Sequence, residues 1–292
     1  MLYDIVIIWI WERREIMAKY QFASKLMFAI VMHDAQACKQ FIEMVFPEKK
    51  VEKIRFPEMP DGEAGTMREY VVEVEKTILT GINSKSVRLD VLFEGDERVY
   101  DIEMQLQKED EVPKRSRYYH MAIARNSLKV GETYDKLKTG YVIFVCCFDP
   151  FEKGEPVYRF EMYDKKLQLQ LGDGSSTIIL NTKCPKVAVP EKLEAFFNFV
   201  NTGEVDENDD FVTYLGSRLE EASEDEEVDR IMTIEEEMRF QRAMAEKREK
   251  QAFTDGAAQK SQEIAANMKS LGFTIDQIVT ATGLSKETIE KL

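Results

Sequence analysis

The chain has 292 residues, 44% of them apolar, which is enough to bury a large core and excludes a disordered or fibrous protein. Its four cysteines (Cys38, Cys146, Cys147, Cys184) include no C-x-x-C pair and its only histidines are His33 and His120, so no zinc centre or disulfide framework is expected, and a reducing, cytoplasmic location is. The net charge of −14 argues against a nucleic-acid partner only until it is located: residues 201–237 hold fifteen acids against Arg218 and Arg230, whereas residues 108–138 carry eight Lys/Arg against five acids.

The N-terminal run Ile5 to Trp11 is apolar but short, lies between Asp4 and Glu12-Arg13-Arg14-Glu15, and has no small-residue cleavage site. It fits neither a secretory signal nor a spanning helix of about 20 residues, and no membrane partner is expected. Glu12-Arg13-Arg14 can be encoded by a purine-rich ribosome-binding sequence at a suitable distance before Met17. Residues 1–16 then read as a leader wrongly included, with translation from Met17; the other reading is a buried first strand.

From residue 18 to 46 apolar residues such as Phe22, Leu26, Met32, Phe41 and Val45 recur at helical intervals, with a break near Asp34 to Gln36, which predicts two short helices or one bent one. "RFPEMPDGEAG" is turn-like and "REYVVEVEKTIL" predicts a strand. The segment "RLDVLFEGDERVYDIEMQLQ", residues 88–107, alternates as a hairpin does. After Pro113 a helix is predicted to about Leu128. "GYVIFVCCFDPF" predicts a strand buried on both faces at the centre of an α/β sheet. "PVYRFEMYD" and "STIILNTK" predict shorter strands about the turn "LGDGSS", and "EKLEAFFNFVNTG" a helix ending at Gly203. The acidic segment 204–237 reads as a solvated connector, residues 228–253 as a charged helical stretch, and the tail as short helices broken at Gly272 and Gly283.

Side chains at i and i+2 of a strand share a face. In the hairpin this sets Leu89, Val91 and Phe93 with Ile102, Met104 and Leu106 on the apolar side, and Asp90 with Glu103 and Gln105 on the other. The turn near Glu94 to Glu97 makes Asp90 and Glu103 cross-strand neighbours, and two carboxylates so close repel unless a cation or a proton lies between them. A hard divalent ion meets that need with one or two carboxylates, waters and substrate phosphate. The plain alternative is a hairpin whose polar side meets water.

The blocks "VRLDVLFEGDERVYDIEMQLQ", "VPKRSRYYHMAI", "KTGYVIFVCCFDPFEKGEPVYRFEM" and "LGDGSSTIILNTK", in this order, resemble the Rpn family of recombination-promoting nucleases, also labelled putative transposases, in the PD-(D/E)XK nuclease superfamily. The resemblance runs from about Phe22 to Lys183. It implies a restriction-endonuclease-like mixed sheet flanked by helices and metal-dependent DNA cleavage linked to recombination or a mobile element. It also implies Asp90 and Glu103 as ligands of Mg²⁺ or Mn²⁺, and a catalytic Gln105 where most of the superfamily has lysine. An amide orients water but cannot offset hydroxide charge. Gln105 therefore implies either heavier dependence on the metal or a nearby lysine, such as Lys108, reaching in. The chain departs from its apparent relatives at the first helix, where Ser24 and Lys25 replace an acidic pair.

Lys114, Arg115 and Arg117 follow the hairpin at a helix start, where backbone N–H groups and basic side chains suit DNA phosphates; a solvated basic turn is the bland alternative. The tail "TIDQIVTATGLSKETIEKL" is helix-turn-helix-like, and a small packing module fits it equally. The expected organisation is a nuclease-like domain over 17–190, an acidic then charged helical connector over 191–253 and a small helical tail over 254–292. The expected function is that of a DNA endonuclease, with a homodimer cutting both strands. Its rival is an inactive DNA-binding or protein-interaction module that keeps the fold.

Overall fold

The computed structural model describes residues 20–56, 90–95, 98–108, 111–128 and 130–292. The leader expected at 1–16 and the strand expected in "REYVVEVEKTIL" lie outside them. The chain forms two units, the first up to Met232 and the second from Thr233.

The first unit begins with two helices, α1 (Lys25–Met32) and α2 (Ala35–Val45). They are separate because Asp34, in extended backbone, caps α2 by accepting the Ala37 N–H at 2.8 Å. Six strands follow in the main sheet: β1 (Ile54–Arg55), β2 (Val91–Gly95), β3 (Arg98–Gln105), β4 (Thr139–Cys146), β5 (Val157–Phe160) and β8 (Ser175–Asn181). β6 (Tyr163–Asp164) and β7 (Leu169–Gln170) form a small separate ribbon. The order in the main sheet is β1-β2-β3-β4-β8-β5, with β3, β4 and β8 parallel at the centre and antiparallel strands outside them. The apolar run around Phe144 is thus the central strand, buried on both faces as its composition requires.

One face of the sheet presents Tyr100, Ile102, Met104, Ile143, Val145, Ile178 and Leu180 to a single large core. α1, α2, α4 (Glu191–Thr202) and α5 (Asp210–Glu224) supply the other side of that core through residues such as Phe28, Phe41, Phe199 and Leu215. The opposite face carries Val142, Phe144, Cys146 and Ile179 and is covered by α3 (Val112–Ser127), whose inward stripe is Val112, Ser116, Tyr119 and Ile123. This is the expected mixed α/β sheet with helices on its faces.

Residues 191–232 are part of the first unit, not a connector. α4 ends at Gly203, in left-handed backbone (φ +78°), and α5 buries Phe211, Val212, Leu215, Leu219 and Ala222. The acids of this segment sit between those apolar positions; a charge sum over the segment hides the helical spacing beneath it. α6 (Glu226–Ser270) contributes Val228, Ile231 and Met232 to the same core.

In the second unit Ala265 of α6, Ile278 of α7 (Ile275–Thr282) and Ile289 of α8 (Lys286–Lys291) form a small core. Thr274 and Gln277 make a reciprocal capping box, Gly283 ends α7 in left-handed backbone (φ +70°), and Ser285 caps α8. The chain breaks at Gly272 and Gly283, and the tail's first helical stretch is the end of the continuous α6. Among the described residues no helix is long and apolar enough to cross a membrane.

Candidate active site

The site lies on the α3-covered face, at the end of β3 where Gln105 pairs in register with Cys146 of β4. β2 and β3 pair with Val91 opposite Ile102, which brings Asp90 opposite Glu103. Each acid is tied to the backbone of the other's strand: the Asp90 N–H donates to Glu103 Oε1 at 3.0 Å, and the Met104 N–H donates to Asp90 Oδ2 at 3.1 Å. This reciprocal pair of bonds fixes both carboxylates without any turn or loop.

The polar residues of β3 do not meet water, while Asp90, just before β2, is half-buried. Asp101, Glu103 and Gln105 are 0%, 1% and 2% exposed, shut in by α3. Burial, and after it the charge of Asp90, pushes the Glu103 carboxyl up to about 8, against the opposing pull of the Asp90 N–H, Arg115 and Lys25. A carboxyl raised this far holds its proton at neutral pH, and a cation bound between the two acids would take that proton's place. The hard carboxylate oxygens fit a divalent cation as donors. Among the described residues no group of three or more His, Cys, Asp or Glu side chains is placed to share an ion. An ion here would take its remaining ligands from water and substrate.

The three basic residues expected at the start of α3 separate. Lys114 is exposed and pairs with Glu111 at 3.7 Å, and Arg117 is exposed. Arg115 turns inward instead, because the next turn of the helix places Tyr119 beneath it. Its Nη1 donates to Gln105 Oε1 at 2.5 Å and its Nη2 to Glu103 Oε2 at 3.2 Å. Nε and Nη2 also donate to the Tyr119 hydroxyl, at 3.2 and 2.6 Å. Gln105 Nε2 in turn faces Glu103 Oε2 at 3.5 Å. Lys108 does not reach the acids; it pairs with Glu152 in the loop after β4.

Alternation sets Asp90, Glu103 and Gln105 on one side of the hairpin but does not show that Arg115 joins them. The signal available was the i, i+4 spacing of Arg115 and Tyr119 on a helix that directly follows the acidic strand. At the first helix, Ser24 acts as N-cap, accepting the Met27 N–H at 3.1 Å, and Lys25 opens α1 with a charge that Glu103 feels. A groove of about 540 Å³ on the far side of α3, floored by Ser116, His120 and Thr177, includes neither Asp90 nor Glu103. His120 Nε2 lies 3.0 Å from Thr177 Oγ1, and burial holds its ring below the usual histidine range.

No curated protein and no solved structure matches the chain. A family model described as PD-(D/E)XK nuclease family transposase matches residues 18–262, which spans the sheet, all its flanking helices and most of α6. That name encodes an acid, a second acid and a lysine two residues later; in this chain Asp90 and Glu103 face each other across paired strands, and Gln105 stands two residues after Glu103. The chain belongs to the PD-(D/E)XK nuclease family of transposases.

Proposed function

We propose that the protein is a divalent-metal-dependent DNA endonuclease acting in recombination or in the movement of a mobile element. The observation that carries this reading is the backbone-clamped pair of half-buried Asp90 and buried Glu103, with the Glu103 carboxyl pushed up to about 8. Such an arrangement is costly to the fold and suits an ion-binding site. Asp90 and Glu103 would hold Mg²⁺ or Mn²⁺, which when bound polarises a phosphodiester and lowers the pKa of its water. Their backbone bonds keep one oxygen of each carboxylate fixed, so the acids need little reorganisation when the substrate arrives. Gln105 orients the reacting water through its amide. Lys114 and Arg117, on the exposed side of the first turns of α3, contact flanking phosphates. With one such acid pair among the described residues of each chain, cutting both strands takes two copies, so a homodimer on DNA belongs to the proposal. All four cysteines are free thiols, in keeping with work in the cytoplasm.

One observation favours the rival, an inactive DNA-binding or interaction module: the guanidinium of Arg115 already occupies Glu103 Oε2. Supercoiled plasmid decides between them. Incubation with Mg²⁺ is expected to give nicked circles, and linear product that rises with protein concentration. EDTA or Asp90→Ala is expected to abolish both. Intact plasmid throughout, with salt-sensitive DNA binding retained in both proteins, establishes the rival.

A further inference from the structure

We propose that Arg115 is a positioning residue that supplies, through Gln105 and Glu103, the fixed positive charge for which the family pattern uses lysine. The proposal rests on the nuclease reading above and deepens it. The name of the family places a lysine two residues after the second acid, and this chain has Gln105 there, an amide without charge. The guanidinium that meets Gln105 Oε1 at 2.5 Å and Glu103 Oε2 at 3.2 Å comes from the next element of the chain. A guanidinium only donates, so it fixes the Gln105 amide with Oε1 toward Arg115 and Nε2 toward Glu103. The amide then relays the positive charge to the site while its own orientation is set from behind.

The support for Arg115 is as firm as that of the acids. Its planar fork engages three partners at once, and the Tyr119 hydroxyl that accepts from two of its nitrogens belongs to a ring stacked on Phe144 at 6.0 Å. Lys108, the other cation close in sequence, is committed to Glu152, and Lys25 is an exposed helix-opening residue. Arginine stays charged across the working range of any enzyme, so Arg115 offsets developing negative charge but does not take a proton from water.

The arrangement also makes a sharp demand on residue 105. A lysine there would place an ammonium against the guanidinium, in the position now held by Gln105 Oε1. Gln105 with Arg115, and Lys at 105 without Arg115, are therefore alternative solutions to one charge requirement, and mixing them fails.

The test compares Gln105→Lys, Arg115→Met and the double variant for plasmid nicking, DNA affinity and thermal unfolding. Each single change is expected to lower kcat by about 100-fold, and the double variant to recover at least about tenfold over either, because the lysine then supplies the missing charge. DNA affinity of Arg115→Met is expected to stay within about twofold of the parent. Thermal unfolding is expected to show the same reversal, with Gln105→Lys lowering Tm in the parent and raising it in the Arg115→Met background. Three results overturn the proposal. Wild-type kcat in Arg115→Met, with the unfolding reversal present, makes Arg115 purely structural. A large loss of DNA affinity with a shallower salt dependence makes it a phosphate contact. A wild-type protein that never nicks, yet shows the unfolding reversal, removes the nuclease reading itself.

Discussion

The sheet face that carries Tyr100, Ile102 and Met104 is covered by α1, α2, α4 and α5, and its core is apolar almost throughout. The face that carries Asp101, Glu103 and Gln105 is covered by α3, and there the buried groups include two acids, an amide and, at its edge, a guanidinium. The same strand, β3, serves both faces, since alternate residues point to opposite sides. The difference shows how the molecule divides its work: the four-helix side supplies the free energy that lets the α3 side hold charge in low dielectric, where an isolated carboxylate would cost several kcal/mol.

If that division is right, the largest effects on folding come from the four-helix side and leave chemistry alone. Ending the chain at residue 190 removes Phe196, Phe199, Phe211 and Leu215 from the core and exposes Phe22 and Phe41. Such a protein is expected to show no cooperative unfolding transition. The milder Phe199→Ala removes a fully buried ring set 4.9 Å from Phe22, and is expected to cost about 3–5 kcal/mol in denaturant unfolding. Its nicking rate per folded molecule should equal the parent's. A stable, active 17–190 fragment would break the comparison and restore the connector expected from charge alone.

That expectation failed for a physical reason. The acidic segment has fifteen acids in 37 residues, and this count is indifferent to where they point. The stripe Phe211, Leu215, Leu219, Ala222 is ordinary helical spacing, legible once the acids between are assigned to the outer side. The central strand was legible because a continuous apolar run bounded by Gly140 and Pro150 has few other uses, and the Asp90–Glu103 pairing because hairpin register follows from alternation. The inward turn of Arg115 was only half legible: its i, i+4 spacing with Tyr119 sets both on one helix face, but periodicity does not say what lies across from that face. Burial of the polar hairpin face was hidden likewise: it depends on α3 folding back over it.

A second way to sharpen the contrast lies in His33, which closes α1 on the apolar side, 3% exposed, with its ring 4.2 Å from that of Phe56. Burial lowers its pKa from 6.5 to about 4, opposed by the charge of Asp34. The folded state therefore favours the neutral ring. Its contribution is complete above about pH 6.5 and is lost as pH falls toward 4, up to about 3 kcal/mol in all. Urea unfolding between pH 7 and 4 should show a steeper acid loss in the parent than in His33→Phe. Parallel curves would mean that the apolar side tolerates charge, and the two faces would differ less than their compositions suggest.

The smallest effect in free energy separates the faces most cleanly. Asp90→Asn keeps an oxygen to accept the Met104 N–H and removes the charge that, after burial, holds the Glu103 carboxyl up. In metal-free protein the remaining carboxylate of Glu103 then has Arg115 as partner and no like charge opposite, so the variant is expected to be more stable by about 1 kcal/mol, a rise of roughly 2–4 °C in Tm. Nicking should vanish at the same time. Added Mg²⁺ should reverse the order of the two proteins, because an ion that binds the folded parent stabilises it in proportion to its occupancy, whereas the variant has lost half of the ion's protein ligands. A crossing of the two melting temperatures with metal concentration ties the strain on this face to its use. A variant less stable without metal, beside a parent that Mg²⁺ leaves unmoved, would mean that the two carboxylates serve the fold alone.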